Sequence, residues 1–272
     1  MVAALQTVPL STHLGLEVHL DREALLSGAR ADELRALLVR HGLLRFPAIH
    51  FSDEEQAAFA QTLGPIVSAW DVSADRSVNA DARMASYQKS SVNWHFDGFG
   101  VARPEFATIM TPRLLEDGRG GATDFANCYR AYDALPEEEK RAIDSLRVRH
   151  SFETTMRMVR PWPTADELAD WQRGGRPHEH PLVWHHRSGR NSLLLGASAF
   201  EIAGMDPEEG RLLICRLNEA ITRPDNVYRY EWRIGDLVIW DNTGTLHRAV
   251  PYADDSRRLM HRTTIAGDEI PV

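Results

Sequence analysis

The apolar residues of this chain come in short runs closed by turn formers. FATIMTP (106–112), SLLLG (192–196), DLVIWDN (236–242) and LMHRTTIAG (259–267) are each of strand length, with Gly, Pro, Asn or Asp at or near their ends. Strands this short build antiparallel sheets with a few covering helices, and a double-sheet jelly roll is one architecture of that kind. The regular strand–helix alternation of a doubly wound fold is absent. The expected class is therefore mainly β with flanking helices (α+β). Residues 21–42 read as one helix on the spacing of Leu25, Leu26, Leu34, Leu37 and Leu38, with Gly42 as its stop. LLRFPAI (43–49) reads as a short strand. Ser52 and Glu55 make a capping box for a helix ending at Gly64-Pro65. Further helices are expected over 136–146, with Pro136 in the first turn, and from about Pro207 to Ile221.

At 272 residues the chain suits one large domain, taken here as 1–272. No segment approaches the roughly 18 consecutive apolar residues of a membrane span. The first residues do not read as a signal peptide. Cys128 and Cys215 are too few for a disulfide framework and are expected as buried thiols, which suits a cytoplasmic protein. A net charge of −8 argues against nucleic acid as partner. The stretch 154–190, rich in Trp, Arg and Pro with little periodicity, reads as an irregular, lid-like insertion. Its histidines, His178, His180, His185 and His186, read as a solvated loop rather than a second metal site.

Trp94-His95-Phe96-Asp97 is the strongest chemical signal. In an extended strand, residues two apart share a side, so His95 and Asp97 can converge on one ion. One imidazole and one carboxylate supply two ligands of a facial triad. The third candidate is His247, which follows the apolar run DLVIW after a polar loop. Taken alone, the HxD pair is a weak signal, more often a histidine hydrogen-bonded to a turn Asp near the surface. Downstream, Arg258 and Arg262 share a strand face, and either guanidinium matches a carboxylate bidentately. Thr123, after Gly120-Gly121, offers a hydroxyl to the same acid. Arg257, Arg258 and Arg262 could also be a charged outer sheet face.

Together WHFD (94–97), GGATDF (120–125), GDLVIWDN (235–242), LHRA (246–249) and RRLMHRTTIAGD (257–268) resemble the taurine dioxygenase family, which includes phenoxyacetate-degrading and alkylsulfate-cleaving dioxygenases. The resemblance spans nearly the whole chain, in family order. It implies a double-stranded β-helix core, a non-haem Fe(II) centre, and 2-oxoglutarate and O2 as co-substrates. His95, Asp97 and His247 fall on the metal-ligand positions. Thr123 and Arg258 fall on those that hold the distal carboxylate of 2-oxoglutarate, and Arg262 on the one that holds the acidic group of the prime substrate. Asp97, which halogenating relatives lack, disfavours halogenation. A homo-oligomer, dimer or tetramer, is expected on the resemblance.

The expected activity is oxidation, foremost hydroxylation, of a small carboxylate, sulfonate or sulfate. The same machinery used for desaturation or carbon–heteroatom cleavage stays open, as does a non-catalytic jelly-roll binding protein. Trp70, Tyr87, Phe96, Phe99 and Trp162 either line an apolar slot or belong to the core, and SYQKSSVN (86–93) is a candidate substrate wall.

Overall fold

Alternation along the central strands sorts the core into layers. In the computed structural model, which describes residues 5–73, 88–116, 121–173, 175–253 and 255–272, Leu237 and Ile239 pack toward the N-terminal helices. Val238 and Trp240, between them in sequence, turn to the opposite face. They lie on β13 (Leu237–Asp241), at the middle of a seven-stranded sheet. Its order is β1 (Gln6–Pro9), β2 (Leu16–His19), β3 (Leu43–Phe46), β13, β5 (Ala107–Leu114), β15 (Leu259–Ile265) and β4 (Ile66–Ser73). A smaller sheet of β12 (Val227–Tyr230), β6 (Thr123–Asn127) and β14 (Thr245–Ala249) completes the jelly roll. The apolar layer shared by these two sheets includes Leu43, Phe125, Val238, Trp240 and Met260.

β11 (Ala199–Ile202), β7 (Arg147–His150) and β8 (His178–Pro181) form a third sheet, and β9 (Val183–His185) pairs with β10 (Asn191–Leu193). The pairings are antiparallel except that of β2 with β3. The fold is thus mainly β with flanking helices, as expected.

Helices with described bounds are α1 (Arg22–Leu26), α2 (Ala31–His41), α3 (Asp53–Leu63), α4 (Cys128–Asp133), α5 (Glu137–Ile143), α6 (Phe152–Arg157), α7 (Ala165–Arg173) and α8 (Pro207–Thr222). Both halves of the Ser52–Glu55 capping box form, and Gly42 takes the left-handed conformation that ends α2. The single helix expected over 21–42 is two, because Gly28 (φ +68°) turns the chain between them. Pro136 caps α5 rather than sitting in its first turn. The stretch 154–190 is largely regular: it holds the end of α6, then α7, β8 and β9. Its periodicity was hidden because each element is short. No helix among the described residues is long and apolar enough to cross a membrane.

β5 lies between β13 and β15 and presents Ile109, fully buried, to the helical layer. Ile109→Ala should lower the unfolding free energy by about 2–5 kcal/mol through the cavity it leaves. Urea unfolding followed by circular dichroism will show this as a lower midpoint with an unchanged slope.

Candidate active site

Two backbone hydrogen bonds bring the candidate triad together. The His95 N–H donates to the His247 carbonyl at 3.0 Å, and the His247 N–H donates back to that of His95 at 2.8 Å. This isolated antiparallel bridge, not a continuous strand, carries WHFD. It sets the two imidazole centroids 4.2 Å apart, while Phe96 turns away into the core. After it the chain turns at Gly98 (φ +82°), where a Cβ would lie 2.6 Å from the Glu105 amide nitrogen. Asp97, just before that turn, is held beside the histidines by Thr108 and Arg262. One ligand atom from each of His95, Asp97 and His247 then lies within 4.8 Å of the others.

The donor set suits a divalent metal. His95 Nδ1 lies 2.7 Å from the Asn93 carbonyl, which fixes that nitrogen as the donor and leaves Nε2 as the lone pair. Burial lowers the pKa of both histidines, with His95 adding to the effect at His247, so both favour the neutral form that metal ligation requires. Burial works against ionisation of Asp97. Arg262, His247, His95 and the Thr108 hydroxyl outweigh it and hold the carboxyl well below the usual carboxylate range. The Thr108 hydroxyl donates to Asp97 Oδ2 at 2.8 Å, and Asn242 Nδ2 donates to Thr108 at 3.0 Å. Two neutral imidazoles and one anion leave about half of an octahedral ion's positions open. A second grouping runs from exposed Asp53 through half-buried Asp71 to buried His261, with Arg113 already on Asp53.

Around the triad is a pocket lined by Trp70, Val72, Phe99, Met110, Thr123, Tyr252, Arg258 and Arg262, among others. Arg258, just before β15, is 4% exposed, with its Nε lacking a hydrogen-bond partner and its guanidinium 5.1 Å from the Tyr252 ring. Gly121 (φ +94°) makes room for it, since a Cβ there would lie 2.7 Å from both Cδ and Nε of Arg258. Thr123 accepts from Trp232 Nε1 at 3.0 Å, so its own hydroxyl proton is available to the pocket. Arg262 lies in β15, with NH2 2.6 Å from Asp97 Oδ2 and 3.7 Å from Glu105 Oε2. Burial and the charge of Asp97 raise the Glu105 carboxyl to about 7, against the pull of Arg262.

All six candidate residues line this one pocket. A charged outer sheet face is therefore the wrong account of Arg258 and Arg262, while Arg257 is exposed in the loop before β15 and paired with Glu116. Trp70 and Phe99 reach the pocket, while Phe96 is core and Trp162, 87% exposed, lines nothing there. Ser86, Tyr87 and Gly120 lie outside the described residues. His180 and His186 are buried rather than solvated: His180 lies 3.0 Å from the Phe99 carbonyl, and His186 stacks on Trp184. Cys128 is buried as expected, whereas Cys215 is exposed on α8. Sequence reasoning missed Thr108, Glu105 and Tyr252. Only Thr108 left a signal, as the polar position alternating with Ile109 in FATIMTP.

A jelly roll that gathers two histidines and a carboxylate in a pocket with a buried arginine defines a class, the 2-oxo-acid-dependent non-haem iron oxygenases. The chain belongs to the taurine catabolism dioxygenase TauD, TfdA family, whose model it matches over residues 6–264. It is 30% identical over 282 residues to the (S)-phenoxypropionate/alpha-ketoglutarate-dioxygenase of Sphingobium herbicidovorans, covering 98% of this chain and 97% of that one. Against the alkylsulfatase of Acinetobacter baylyi the identity is 32% over 275 residues, with 97% and 86% covered. The crystal structure of AAD-2 in complex with Mn(II) and N-oxalylglycine is similar at a TM-score of 0.86 and 32% identity, covering 99% of this chain and 100% of that one. The chain is accordingly a 2-oxoglutarate-dependent, metal-requiring dioxygenase.

Thr108 orients a candidate ligand without facing the metal itself, so its loss should be graded. Thr108→Val should weaken Mn(II) binding about 10- to 100-fold, and Asp97→Ala should abolish tight binding, both read by anaerobic titration of the metal-free protein.

Proposed function

We propose that the chain oxidises a small anionic organic substrate, foremost by hydroxylation, with Fe(II) held by His95, Asp97 and His247. In this reading Arg258 and Thr123 hold the distal carboxylate of 2-oxoglutarate, and Arg262 receives the acidic group of the prime substrate. The observation that carries it is the pairing of a neutral-His, ionised-Asp donor set with a buried arginine, Arg258, whose Nε has no hydrogen-bond partner, on the wall of the same pocket. A buried, charged N–H left without an acceptor is costly, and an incoming carboxylate relieves that cost. The relatives named for phenoxypropionate and alkyl sulfate support an acid headgroup on an apolar tail. Trp70, Val72, Phe99 and Met110 supply matching apolar wall.

Iron held by His95, Asp97 and His247 would supply oxygen activation coupled to oxidative decarboxylation of 2-oxoglutarate to succinate and carbon dioxide. The protein's own residues do the rest. Asn93 fixes the tautomer of His95. Thr108 and Arg262 keep Asp97 anionic and aimed. The apolar walls limit water, which strengthens each charge interaction inside. The reading takes 1–272 as one catalytic domain, with 154–190 acting as a lid whose helix α6 brings Thr155 to the pocket. A cytoplasmic homo-oligomer, dimer or tetramer, belongs to the same reading, on the family resemblance.

The test is succinate formation from 2-oxoglutarate by the Fe(II)-loaded protein, with 2-phenoxypropionate and hexyl sulfate offered separately. An acid that raises succinate and is itself oxidised in step supports the reading. Succinate release that no anionic compound stimulates sinks the substrate class. Arg258→Gln should raise the KM for 2-oxoglutarate about 10- to 100-fold by removing a charge-assisted, bidentate contact.

A further inference from the structure

Arg262 faces the pocket, yet its guanidinium is already committed. One nitrogen reaches Asp97 Oδ2 at 2.6 Å, Glu105 Oε2 at 3.7 Å and the Thr108 hydroxyl at 3.4 Å. Asp97 is expected to spend its charge on the metal. Glu105 has no such second duty: its Oε2 is buried, has no hydrogen-bond partner, and sits within ion-pair distance of Arg262. A buried carboxylate in that position draws on the same positive charge that an anionic substrate would need.

Its place is set by the backbone. Glu105 follows Pro104, and the close approach of the Gly98 turn to the Glu105 amide holds this segment against the turn that carries Asp97. Phe106, next along, donates its N–H to the Ile265 carbonyl at 3.0 Å, tying the segment to the strand that bears Arg262. The backbone at Glu105 is thereby held in place relative to the strand that bears Arg262.

We propose that Glu105 is a specificity-determining residue, a built-in counter-ion that competes with the substrate's acidic group for Arg262. It sets how tightly the pocket holds an anion, and it favours substrates whose apolar part contributes a large share of the binding. The inference rests on the proposed role of Arg262 in acid recognition.

The test is anaerobic calorimetric titration of 2-phenoxypropionate into protein loaded with Fe(II) and 2-oxoglutarate, at about pH 8.5, where a carboxylate is charged. Glu105→Gln should bind the probe about five- to tenfold tighter than wild type. Glu105→Asp, which keeps the charge but sets it one methylene further back, should fall between wild type and Glu105→Gln. Arg262→Gln should lose most of the binding. If Glu105→Gln binds no tighter while Arg262→Gln fails to bind, the counter-ion role is wrong and the recognition role of Arg262 stands. If Glu105→Asp, still charged, tightens binding more than the neutral Glu105→Gln, charge is not responsible, and the proposal falls. If Arg262→Gln binds as wild type does, the acid-recognition reading itself fails.

Discussion

The pair of backbone hydrogen bonds between His95 and His247 is the constraint on which the rest of the site depends. It joins two residues far apart in sequence through main-chain atoms, so their backbones are held side by side, while Asn93 at His95 and Trp240 at His247 set the rings. His247 is held in turn by β14, whose register with β6 sets it opposite Phe125. The same register sets Thr123 opposite Ala249, at the pocket. One ladder thus positions a candidate metal ligand and a candidate co-substrate contact together.

Around this scaffold the site is an arrangement of buried charge. Arg258, Arg262 and Asp97 are all buried, and Glu105 is nearly so. Removing one member of a buried ion pair is strongly destabilising, by about 3–5 kcal/mol, because the partner is left uncompensated. The site is therefore held by the two sheets as well as carried by them. β15 illustrates this: Met260 faces the inter-sheet core beside Arg262, while on its other face Thr263 accepts from Gln56 of α3 and His261 lies 2.7 Å from Asp71.

Much of this could be read from the residues. The strands 106–112, 236–242 and 259–267 announced themselves by length and by their turn formers, and Ser52 with Glu55 announced α3. These signals are local, and local chemistry decided them. The break after Leu26 was not legible, because the leucine period runs on past Gly28 and only the backbone conformation shows the stop. WHFD suggested a strand because HxD spacing fits one, yet a single bridge followed by a glycine turn achieves the same convergence. Arg262 was legible as a pocket residue but not as a partner of Asp97, since that contact joins β15 to a turn more than a hundred residues earlier. Glu105 carried no signal, for nothing in Arg-Pro-Glu-Phe distinguishes a buried acid from an exposed one.

Gly121 lends the pocket a property of a different kind. Arg258 rests against bare main chain there, with no side chain between them that rotation could move aside. Under the proposed function the depth at which the far end of a 2-oxo diacid is met is therefore gauged by the backbone, as by a fixed stop. The length of acid the pocket accepts then becomes a property of the fold, and side-chain substitutions elsewhere on the wall could retune the prime substrate while leaving that length unaltered.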